Sequence, residues 1–82
     1  MVKKYLQLWD DNQENGFISI EDIYWLDVSI RENQLGERNW IVKGFEKDED
    51  RTQGWILSPN FTYMEDAYNY LEKILRSAGV LG

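Results

Sequence analysis

An α+β domain is the fold class this sequence predicts: an antiparallel β-meander of about four strands, with one C-terminal α-helix packed on one face of the sheet. Three observations carry that expectation. The four tryptophans stand at Trp9, Trp25, Trp40 and Trp55, one in each of four short apolar runs divided by polar or glycine-bearing turns. Between Ile18 and Ile30 the apolar residues recur at alternate positions, the period of a strand with one buried face. After Pro59, the only proline, the spacing changes to that of a helix. The chain has 82 residues, room for one domain spanning 1–82.

The first strand is expected over Lys3 to Trp9, closed by the polar loop Asp10 to Gly16. Asn15-Gly16 is the favoured turn pair there, since both residues tolerate a positive φ. The period-2 series from Ile18 to Ile30 breaks once, at Asp22, which predicts one long bent strand or two strands with a bulge near Glu21-Asp22. A turn around Gly36 follows, over Asn33 to Arg38. Trp40–Phe45 and Trp55–Ser58 then make a hairpin across the charged loop Glu46 to Gln53. Last comes a helix from about Tyr63 to Ala78. Thr62 and Glu65 have the spacing of a capping box, in which each side chain takes a backbone N–H of the other's turn. Ala67, Leu71, Ile74, Leu75 and Ala78 make its apolar stripe, Gly79 suits the left-handed C′ position, and Val80 can fold back on Leu75.

The residues that are missing narrow the chemistry. With Cys 0 and His 0 there is no disulfide framework, thiol nucleophile, imidazole base or ordinary zinc site. The remaining acid–base candidates, Asp10-Asp11 and Glu21-Asp22, are sequence neighbours, and neighbours on a strand point to opposite faces. No phosphate-binding glycine loop or nucleophile elbow occurs. The expectation is a protein without catalytic residues, metal or cofactor. No apolar stretch follows Met1-Val2-Lys3-Lys4 as a signal peptide requires, and no run approaches the roughly 18 residues of a membrane span. A cytoplasmic protein without membrane contact is therefore expected. Acidic residues outnumber basic ones 15 to 9, for a net charge of −6, which disfavours nucleic acid as a partner.

One helix covers one face of a sheet, and a solvated second face should be polar. Asp27, Ser29 and Arg31 obey that rule opposite Leu26, Val28 and Ile30. The other strands do not: Leu6 and Leu8 oppose Tyr5 and Trp9, Trp40 and Val42 oppose Ile41, and Trp55 and Leu57 oppose Ile56. A second patch rich in Trp and Tyr follows, and such patches mark interaction sites. Coverage within the monomer, a homodimer and a different protein partner are the three ways to satisfy it. The expected role is a protein-interaction module, with Tyr5, Trp9, Trp25, Trp40 and Trp55 as partner-binding residues. Asp48, Glu49 and Asp50, at the tip of the second hairpin, form an acidic accessory.

Other readings start from the same residues. Asp11 to Asp22, DNQENGFISIED, resembles a calcium-binding EF-hand loop centred on Gly16, with Asp11, Asn15 and Ile18 in register. Gln13 and Asp22 depart from the pattern at the third and twelfth positions. An aromatic sheet face bordered by Arg31, Arg38, Lys43 and Lys47 has the residue types that stack single-stranded nucleic acid. Asn60-Phe61-Thr62 is formally a glycosylation sequon, better explained by Thr62 as a helix cap. In size and charge alone the chain resembles phage-encoded inhibitors of nucleic-acid enzymes, whose acidic surface occupies a site meant for phosphates; no sequence motif accompanies that resemblance.

Overall fold

A computed structural model describes residues 4–50 and 53–77. In chain order its elements are β1 (Tyr5–Asp10), β2 (Gln13–Ser19), a 3-10 turn (Ile20–Asp22), β3 (Trp25–Glu32), β4 (Arg38–Phe45), β5 (Trp55–Ile56) and α1 (Met64–Ser77). The strands form two antiparallel sheets, β1-β2 and β3-β4-β5. The α+β class with a helix at the C-terminal end is as expected. The single meander is not: among the described residues, five strands are divided between two sheets.

The division begins at the first turn. Asp11 and Asn12 both have positive φ, 47° and 68°, and Asp10 pairs directly with Gln13, so these two residues are the whole hairpin turn. Short polar side chains make this conformation cheap for Asp and Asn. Asn60 holds the turn in place: its backbone N–H donates to Asn12 Oδ1 at 2.7 Å and its Nδ2 to Asp11 Oδ1 at 2.8 Å. The expected turn pair Asn15-Gly16 instead lies inside β2. There the register passes from Gln7↔Phe17 to Trp9↔Glu14, and Gly16, with φ 94°, takes up the bulge.

The alternating series Ile18 to Ile30 resolves into two strands. No bulge joins them. Ile20–Asp22 turn as a 3-10 helix, with Ser19 Oγ accepting from Glu21 N–H and Ile23 N–H donating to Ile20 C=O at 3.2 Å. β2 pairs with β1 and β3 with β4, so the chain changes sheet at this turn. β3 and β4 pair without a break from Trp25↔Phe45 to Glu32↔Arg38, across a turn in which Asn33 Oδ1 accepts from the N–H groups of Leu35 and Glu37. β5 adds Lys43↔Ile56 and Gly44↔Trp55. Beyond it Ser58, fully buried, accepts from Val42 N–H at 2.8 Å and donates to Pro59 C=O at 2.9 Å.

α1 lies against β3 and β4 with Ala67 and Ile74 buried. Its first turn closes on Tyr63, whose carbonyl accepts from Asp66 N–H at 3.2 Å, one residue beyond the expected Thr62 cap. Glu65 and Asp66 near its start and Arg76 near its end complement the helix dipole. The expected ending at Ala78, Gly79 and Val80 lies outside the described residues. Val42, Leu57 and Ile74 form the core cluster, and Leu6, Leu8, Ile18, Leu26, Val28, Tyr70 and Leu71 pack on it, so both sheets and the helix share one interior. No helix among the described residues is long and apolar enough to cross a membrane.

Candidate functional site: an open strand edge beside an apolar groove

The direction of the backbone groups in β4 decides what β3 offers to a neighbour. Val42 gives its N–H to Ser58 Oγ, and its C=O accepts from Leu57 N–H at 2.8 Å. Both groups therefore point toward β5, which makes Val28↔Val42 a non-hydrogen-bonded pair of the β3–β4 ladder. Trp40 exchanges both its groups with Phe61 at 2.8 Å, so its partner Ile30 has the same orientation. Antiparallel ladders alternate every second residue, which adds Leu26. The N–H and C=O groups of Leu26, Val28 and Ile30 thus face away from β4, along an edge that has no strand beside it among the described residues. Asp27 Oδ1 accepts from the central N–H, that of Val28, at 2.8 Å.

Next to the start of this edge is a groove of about 290 Å³, lined by Ile20, Ile23, Tyr24, Trp25 and Leu26 together with Leu71 and Leu75 of α1. The apolar surface continues along the strand, where Ile30 is 54% exposed. A larger cleft, about 440 Å³, lies at the other end of β3 among Asp10, Asp11, Arg31 and Glu32. There Arg31 Nη2 meets Asp10 Oδ1 at 3.2 Å, an exposed pair of the kind that contributes little to stability.

The aromatic residues expected to share a face are distributed over several. Trp25 lies with Asp27, Ser29 and Arg31, as alternation predicts, and stacks on Phe45 with ring centroids 4.0 Å apart and planes at 15°. Trp40 and Trp55 lie on the opposite face, paired with Ile30 and Gly44. Trp9 and Trp55 meet around a shallow pocket with Leu8 and Ile56, and the Trp9 indole N–H is buried with no acceptor among the described residues. Tyr5 is exposed and lies beside Tyr70 and Lys73. The reason is topological: β1 pairs with β2 in its own sheet, so Tyr5 and Trp9 do not extend the face of β3-β4-β5. On the Trp25 side of that sheet Ile41 and Phe45 are 2% and 0% exposed, so the uncovered second face expected from alternation is covered at both positions.

The charged candidates separate in the same way. Asp48 and Asp50 are exposed at the loop after β4, while Glu49 Oε1 accepts from Glu46 N–H at 2.7 Å and closes its own turn. Asp11 and Asp22 stand at opposite ends of β2, so the twelve residues aligned with an EF-hand run along a strand instead of wrapping round a centre. Of the cations that would border a base-stacking face, Arg31 is paired with Asp10, and Lys43 Nζ is 5.4 Å from the Phe45 ring centroid. The β3 edge escaped sequence reasoning, although Asp22 and Asp27 signalled it: one interrupts the strand series, the other puts a carboxylate inside it. No family model matches the chain, and neither does any curated protein or solved structure.

Proposed function

We propose that this chain is a non-enzymatic protein-interaction module that takes an extended polypeptide segment along the outer edge of β3. The observation that carries the reading is the outward orientation of Leu26, Val28 and Ile30 beside the groove of Tyr24, Trp25, Leu71 and Leu75. Strand addition of this kind draws affinity from main-chain hydrogen bonds and specificity from pockets that take alternate side chains, and both parts are present here. The Asp27 carboxylate on Val28 N–H is a competitor that an incoming strand displaces. A charge at the edge keeps it from pairing indiscriminately and limits the affinity of whatever does bind.

The test is an NMR titration of the ¹⁵N-labelled protein with an eight-residue peptide of alternating valine and threonine. Shifts and slowed exchange at the amides of Leu26, Val28 and Ile30, with shifts at Leu71 and Leu75, are the expected result. Perturbation confined to the 46–50 loop, or none at millimolar peptide, overturns the reading.

A further inference from the structure

We infer that the strand taken by this edge is β3 of a second copy of the chain, joined antiparallel about a twofold axis at Val28. The inference rests on the strand-addition reading above and supplies its partner. A twofold axis at a residue whose N–H and C=O face outward gives a hydrogen-bonded pair of that residue with itself, and β3 has three such residues. With the axis at Leu26, Ile30 falls opposite Asp22. With the axis at Ile30, Val28 falls opposite Glu32 and Leu26 opposite Gln34. Only the axis at Val28 matches like with like: Leu26 opposes Ile30 of the second copy, twice, in one apolar row on the helix side.

The opposite face is complementary in the same register. Each Asp27 falls opposite a Ser29 hydroxyl, which offers the carboxylate a donor when it leaves Val28 N–H. Each Arg31, held by Asp10 of its own chain, falls opposite a Trp25. On the helix side, beyond the Leu26–Ile30 pairs, Glu32 falls opposite Tyr24, whose phenol is 68% exposed in the single chain. The exposed Ile30 comes beside Leu26 of the second copy, at the margin of that copy's groove. The two three-stranded sheets become one of six strands, and both open edges disappear.

Light scattering behind size exclusion, from micromolar to millimolar concentration, tests the inference. The mass is expected to rise from 9.8 kDa toward twice that value as concentration increases. Ile30→Lys removes both Leu26–Ile30 pairs and is expected to weaken association about tenfold. Asp27→Ala frees the central N–H and is expected to strengthen it. Leu35→Lys, in the turn after β3, leaves it unchanged. Melting curves establish that each variant is folded, which the exposure of Ile30 and Leu35 favours. A dimer indifferent to Ile30→Lys overturns the inference. A chain monomeric throughout also overturns it, and the peptide titration then separates the cases: response at Leu26, Val28 and Ile30 keeps the strand-addition reading, and no response removes both.

Discussion

Gly54→Ala measures how tightly the end of the three-stranded sheet is built. Gly54 has φ 98°, and a Cβ placed there would lie 2.7 Å from Cδ1 and Cε1 of Phe45 and 2.9 Å from the carbonyl oxygen of Gly44. Neither neighbour has room to retreat. Phe45 is fully buried with the Trp25 ring stacked on it, and the Gly44 carbonyl is main chain in β4. A side chain held in the left-handed region costs about 1–2 kcal/mol, and overpacking a closed site costs about 1–3 kcal/mol. We expect a loss of about 3 kcal/mol, which for a domain this small lowers Tm by about 12–24 °C. Gly16→Ala is the matched control, because φ is nearly the same, 94°, yet none of the described residues lies within 4 Å of the added carbon. It should show the backbone cost alone. Thermal and urea unfolding followed by circular dichroism measure both variants, and equal losses from the two would refute the argument that Phe45 is pinned.

Three further outcomes follow from the packing. Ser58→Ala leaves the buried Val42 N–H without its acceptor and is expected to cost about 1–3 kcal/mol in urea unfolding, with little change in m. Asn60→Ala removes the Nδ2 donor to Asp11 Oδ1, so amide exchange at the β1–β2 turn should accelerate while that of Ile41 and Val42 stays slow. Trp25→Ala removes the ring stacked on Phe45 and one wall of the groove. It is expected to destabilise by about 2 kcal/mol, below the full cost of a core aromatic because Trp25 is only half-buried, and to abolish the peptide response.

Local chemistry made much of the fold legible. The helix was readable because Ala67, Leu71 and Ile74 recur at helical spacing, and they do face the interior. The β4–β5 hairpin and the side of β3 on which Trp25 lies were readable because a strand alternates with period two, whatever it pairs with. The first turn forms four residues before the favoured pair Asn15-Gly16. Asn15-Gly16 and Asp11-Asn12 both tolerate positive φ, and what separates them is Asn60, forty-eight residues on from Asn12, which ties down Asp11 and Asn12.

Which strands lie side by side was outside the reach of periodicity. Alternation states which residues share a side of one strand, but the partner of that strand is set by long-range packing. Here β1 and β2 form their own sheet and deliver Leu6, Leu8 and Ile18 to the common core, which divides the expected aromatic face among separate surfaces. The same partition leaves β3 at an edge. From composition and spacing alone come an acidic α+β chain without cysteine or histidine, its terminal helix, and the face on which each side chain of a strand lies. The open backbone of Leu26, Val28 and Ile30, and the groove beside it, arise from which strand stands next to which. That choice is made by the shared burial of Val42, Leu57 and Ile74, residues up to thirty-two positions apart, and no local pattern encodes it.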